Sequence, residues 1–203
     1  MTDVDTPHRP IALAIFLIVA GTVGWYSAFE LTLAKFAVLA SPDAALSCNF
    51  GILVQCGANL TSWQGSVFGF PNPLLGLGGF VAPIAVGVAL LAGARFARWF
   101  WIAFTVGIAG ALAFCVWLIG QSIFVLGVLC PWCMVVWAVT IPLFWTVSIY
   151  SLKTGAIPVS ASGSAPATKF FEKAWGYLPI ITFASYLAIA VIAQLRLDVI
   201  SYL

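Results

Sequence analysis

Cys130, Pro131, Trp132 and Cys133 form a CxxC motif at the start of a long apolar stretch. Two thiols at that spacing can close and open a disulfide. A first cysteine at a helix start, with proline in the first turn, sets both sulfurs near backbone N–H groups that have no helical partner. Such a site favours thiolate, the form that attacks disulfides. Two more cysteines, Cys48 and Cys56, lie eight residues apart earlier in the chain, and Cys115 stands alone between the two pairs. The single histidine, His8, sits in a polar tail, which argues against histidine-based catalysis and most zinc sites.

The elements that must position these thiols belong to a bilayer. The chain of 203 residues is 63% hydrophobic and 7% charged, whereas a soluble domain carries about 25% charged residues. Five stretches approach the ~20 apolar residues of a spanning helix: 11–29, continuing to about Ala40 through Glu30 and Lys35, then 73–93, 99–124, 130–152 and 177–195. The first is too long for a signal-peptide core and is expected to remain as a helix. The expected fold is therefore an all-α membrane protein, a four-helix transmembrane bundle with a fifth, peripheral transmembrane helix. Residues 1–152 form the core with an outer loop at 41–72, 153–172 a cytoplasmic linker rich in Gly, Ser, Ala and Pro, and 173–203 the fifth helix and an outward C-terminus. Short links predict that the second, third and fourth stretches pack as antiparallel neighbours. Small residues at Gly76, Gly78, Gly79, Gly107, Ala111 and Gly120 permit close helix contacts.

Basic residues set the orientation. With a cytoplasmic N-terminus, Arg9, Arg95, Arg98, Lys153, Lys169 and Lys173 lie inside and only Lys35 and Arg196 outside, as the positive-inside rule expects. This places both cysteine pairs on the outer face of an inner or plasma membrane, where disulfides persist. A net charge of +2 without a basic run gives no sign of a nucleic-acid partner. Loop 41–72 is long enough to be functional, and its apolar Val67, Phe68 and Phe70 suggest a lid in the membrane interface.

Two pairs permit three readings: disulfide staples, a metal site, or electron passage by thiol–disulfide exchange. A CxxC ring removes little chain entropy and makes a poor staple. An eight-residue spacing is wide for a tetrathiolate zinc pair. Exchange, which needs a mobile pair able to reach a fixed one, ranks first, and no metal is expected. Cys115, midway along the third stretch, reads as a buried structural thiol.

A pair eight apart in the first outer loop, then Ser62-Trp63, then Asn72 followed by Gly76, and a CxxC opening the fourth helix, resemble the vitamin K epoxide reductase family, specifically its bacterial branch. The resemblance covers 11–152. It implies that Cys48 takes electrons from an external dithiol, that Cys56 exchanges with Cys130, and that Cys133 faces a quinone. It also implies that Asn72 hydrogen-bonds a quinone carbonyl and that Ser62, with Thr61 as the alternative, steadies the region around the dithiol. Where vertebrate members carry a tyrosine four residues after the second cysteine, this chain has Trp137, whose indole donates but cannot accept. Quinone reduction, with a menaquinone or ubiquinone type as acceptor, is thus expected before epoxide reduction. With the chain ending at Leu203, the implied thioredoxin-like dithiol oxidase would be a separate protein. The competing expectations are a reductase of a vitamin K-type naphthoquinone or its epoxide, and a disulfide-stapled or metal-binding membrane protein without enzymatic activity. Leu60, Phe68, Phe70, Leu74 and Leu75 are candidates for a pocket or its lid.

Overall fold

The computed structural model describes residues 10–42, 45–157 and 174–202. His8, Arg9, Lys169, Lys173 and most of the expected linker lie outside the described residues.

Among the described residues, five helical segments are long and apolar enough to cross a membrane, in line with the composition. The first is α1, Ile11–Ala40. The second is broken into α3, Pro73–Gly79, and α4, Val81–Leu91, after a short outer helix α2, Gly57–Thr61. The third, α5, Arg98–Gly120, continues as a π-helical turn, Gln121–Leu126. The fourth and fifth are α6, Pro131–Lys153, and α7, Leu178–Leu197.

Two prolines shape the bundle. Pro83 has no N–H to offer the Gly79 carbonyl four residues earlier, and its ring crowds that carbonyl, so the helix breaks at Phe80. Pro142 does the same to the Ala138 carbonyl inside α6. There the Tyr186 hydroxyl of α7 donates to Ala138 O, supplying the donor that proline removed. Trp145 Nε1 donates to Ser185 Oγ at 3.4 Å beside it. These two contacts fasten α7 to α6, although α7 buries only Ala193.

The long α1 is the centre of the bundle and packs on α4 and α6. Its approach to α4 depends on glycine. A Cβ at Gly21 would stand 2.7 Å from Ile84 Cγ1, one at Gly24 2.4 Å from the Phe80 ring, and one at Gly87 2.6 Å from Ala14 O. At Gly76 a Cβ would sit 2.8 Å from that of Ala28. On the other side, α5 packs on α6, with the buried hydroxyls of Thr105 and Ser151 2.9 Å apart.

The expectation that the second and third spans pack as neighbours is corrected here: α4 and α5 do not pack closely together. A cavity separates them, walled by small residues including Gly79, Ala82, Gly107 and Ala111. A Cβ at Gly79 or Gly107 would meet nothing within 4 Å, so these glycines give width to a cavity and not contact between helices.

Candidate active site

The outer loop brings the two cysteine pairs together through its backbone. Gln55 N–H donates to Leu129 O at 3.0 Å and Leu129 N–H donates to Leu53 O at 2.8 Å, a one-bridge parallel pairing of Val54 with Leu129. Cys130 directly follows Leu129, and Cys56 directly follows Gln55, whose N–H the Leu129 carbonyl accepts. Pairing therefore sets the sulfurs side by side: Cys130 Sγ lies 3.4 Å from Cys56 Sγ. Gly127, at φ 67°, turns the chain out of the π-helical segment so that 128–130 can run beside the loop.

Asn49 fixes the loop cysteine from the other side. Its Oδ1 accepts from Cys56 N–H at 2.9 Å and from Gly57 N–H at 3.2 Å, satisfying donors at the start of α2. Cys48 and Cys56 are joined by a disulfide, whereas Cys130 and Cys133 are free thiols. Cys48, Cys56 and Cys130 are all buried, packed with Leu31 and Leu60.

Cys130 is the N-cap of α6, and its sulfur accepts the Cys133 backbone N–H at 3.4 Å. Its thiol is pulled below the ordinary cysteine range, first by the Cys133 thiol hydrogen bond and further by the backbone N–H groups of Cys133 and Trp132, against burial, which pushes it up. This is the local consequence of placing CxxC at a helix mouth.

Cys133 points toward different surroundings. It lines a cavity of about 650 Å³, the size of an ordinary small-molecule site, which Cys48, Cys56 and Cys130 do not line. Trp137, one turn further along α6, and Thr140 share the wall, with Phe80, Phe104 and Phe114 from the surrounding helices. The polar contributors are few. Asn59, Gln64 and Asn72 come from the loop and Gln121 from the π-helical turn. Gln64 Nε2 donates to Gln121 Oε1 at 3.2 Å.

The other expected residues fall as follows. Asn72 lines the cavity and stands at the N-cap position of α3, where its side chain makes no capping hydrogen bond. Its Nδ2 donates to Gln64 O at 2.6 Å and its Oδ1 accepts from Val67 N–H at 3.2 Å, holding the loop turn between them. One amide hydrogen remains for another acceptor. Ser62 is not on the cavity wall. Its hydroxyl donates to Asn59 O at 2.9 Å, whereas that of Thr61 bonds Gly57 O within α2. Leu60, Phe68 and Leu75 line the cavity, and Phe70 and Leu74 do not. Phe68 and Trp63 rest on Phe114 and Trp117 of α5, covering the outer end of the cleft. Cys115 is buried in the cluster of Ile119 and Trp137 and also touches the cavity. Among the described residues, no group of three or more His, Cys, Asp or Glu is placed to hold a metal.

Sequence reading passed over Asn49, Gln64 and Gln121 as site residues. Asn49 carried a signal, an Asx residue inside the ring closed by the two loop cysteines, but its capping target lies eight residues on, outside local patterns.

A membrane bundle that sets a disulfide against a helix-mouth dithiol, with one thiol opening into an apolar cavity, defines a membrane thiol oxidoreductase. The profile of the vitamin K epoxide reductase family matches residues 15–148. The chain belongs to that family, whose members are linked to quinones and work with thioredoxin-like partners. No curated protein and no solved structure matched the chain.

Proposed function

We propose that the protein reoxidises an external thioredoxin-like dithiol protein and delivers its electrons to a membrane quinone. The observation that carries this reading is the sulfur path: a loop disulfide, a 3.4 Å step from Cys56 to Cys130, and Cys133 on the cavity wall.

In the proposed cycle the partner's dithiol reduces the Cys48–Cys56 disulfide, accepting it as its own, and leaves two loop thiols. Cys56 thiolate attacks Cys130 of an oxidised CxxC pair. The Cys130–Cys133 bond breaks and Cys133 leaves as thiolate at the cavity. Cys48 then attacks Cys56, re-forming the loop disulfide and returning the electron pair to Cys130. The result is an oxidised loop and a reduced CxxC, the arrangement described above. A bound quinone would take up the two electrons and two protons held by this dithiol. Residues suited to holding it are the aromatic wall around Trp137 and the amides of Asn72 and Gln121. The cleft between α4 and α5 gives such a lipid-soluble molecule a lateral way in from the bilayer.

The orientation proposed from the basic residues agrees with the helix directions. Gly87 of α4 meets Ala14 of α1, while Gly76 of α3 meets Ala28, so the two run antiparallel. Arg95, Arg98 and Lys153 then lie at the bundle end opposite the dithiol, which is proposed to face outward. The test is dithiol-driven quinone reduction by the purified protein. Wild type is expected to turn over and Cys48→Ala, Cys56→Ala, Cys130→Ala and Cys133→Ala to lose turnover. Activity that persists in Cys133→Ala would refute the reading.

A further inference from the structure

A two-carbonyl ligand in this cavity needs hydrogen-bond donors, and most of the polar atoms around it are already committed. Thr140 Oγ1 donates its one hydrogen to Val136 O at 2.8 Å. One hydrogen of Gln64 Nε2 is engaged by Gln121 Oε1, and one of Asn72 Nδ2 by Gln64 O. Asn59 Nδ2 is unpartnered but sealed from solvent contact. Gln121 differs. Its Oε1 is held at 3.2 Å by Gln64, which is 4% exposed, while its Nε2 donates to no other described group.

This orientation is built by two features outside the dithiol. The π-helical turn that begins at Gln121 widens the end of α5, as such turns do at functional sites. The backbone that carries Gln64 is held in turn, its carbonyl accepting from Asn72 Nδ2. Asn72, Gln64 and Gln121 thus form a hydrogen-bonded chain along the cavity wall, and at its Gln121 end stands an amide nitrogen with both hydrogens uncommitted among the described residues.

We infer that Gln121, oriented by Gln64, is a specificity-determining residue that donates its side-chain N–H to a ring carbonyl of the quinone. The inference rests on the quinone reading proposed above. The pair also suits the product. Turning both glutamine amides over keeps a hydrogen bond between them and presents Gln121 Oε1, an acceptor, to a quinol hydroxyl. Gln64 is then a positioning residue, acting through Gln121.

The test uses the full-length protein in detergent with menadione as acceptor and dithiothreitol as donor. Gln121→Met keeps an unbranched side chain of similar length and removes the donor. The expected result is a kcat/KM for menadione lower by about 2- to 13-fold, the range of one neutral hydrogen bond, carried by KM. Gln64→Met should give a smaller loss of the same kind. In both variants the rate of reduction of the Cys48–Cys56 disulfide by dithiothreitol should equal that of wild type. An unchanged KM in folded Gln121→Met overturns the inference, and so does a parallel fall in loop reduction, which would make the role structural. If wild type reduces no quinone, it is the quinone reading itself that fails.

Discussion

Removing the Asn49 side chain should slow exchange between the loop and the helix dithiol without touching the quinone end. Asn49 Oδ1 holds two N–H groups, one on Cys56, which is fully buried, and one on Gly57, which is half-buried. The Gly57 donor can turn to water when the acceptor is lost, whereas the Cys56 donor has no such replacement, so the cost resembles that of a lost helix cap, about 1 to 2 kcal/mol. The disulfide and the Leu53–Gln55 pairing with Leu129 still restrain the loop, so it should loosen and not unfold. If that energy comes out of the arrangement with Cys56 beside Cys130, its population falls about 5- to 30-fold. The assay follows formation of the Cys56–Cys130 mixed disulfide in a Cys133→Ala background, with and without Asn49→Ala. Asn49→Asp, which keeps an acceptor oxygen, should restore most of the rate. Equal rates with and without Asn49→Ala would refute the argument that this side chain sets the sulfur geometry.

Other consequences follow from the same contacts. Cys130 carries a thiol pulled below the ordinary cysteine range, first by the Cys133 thiol, so in a pH series of Cys130 alkylation the half-maximum should lie at higher pH in Cys133→Ala than in wild type; an equal or lower half-maximum in the variant would contradict the assigned hydrogen bond. Gly107→Leu places a side chain in open cavity space, and quinone kcat/KM should fall about tenfold or more, the scale of a steric overlap, while loop reduction is unchanged. Tyr186→Phe removes the donor to Ala138 O, and thermal unfolding in detergent should show a loss of about 0.6 to 1.7 kcal/mol, with quinone reduction retained. Cys115→Ala should retain quinone reduction in the same assay.

Much of the bundle was legible because lipid imposes a simple rule on composition: long apolar runs must become helices that satisfy their own backbone. The four cysteines were legible through their types and spacing. What brings them together was not. A single parallel bridge between Val54 and Leu129 is too short to leave an alternating pattern, yet it sets the register of Cys56 on Cys130. The break at Phe80 ahead of Pro83 was not read from the sequence, which gave 73–93 as one span, and that Tyr186 supplies the donor missing at Pro142 depends on tertiary contact. The short link between α4 and α5 was read as adjacency. Connection length limits how far apart two helices can be, and it does not make them touch, so the gap that forms the cavity was hidden. Its only sequence trace is the set of small residues on both walls, Gly79 and Ala82 facing Gly107 and Ala111.

The central claim is that electrons cross from loop to helix between Cys56 and Cys130. Mapping the disulfides of the Cys133→Ala protein tests it most directly. Cys130 should attack Cys56, releasing Cys48 as a thiol, so peptide mapping after acid quenching should find a Cys56–Cys130 bond with Cys48 free to alkylate. A bond from Cys130 to Cys48 with Cys56 free, or an intact Cys48–Cys56 disulfide with no mixed species, would contradict it.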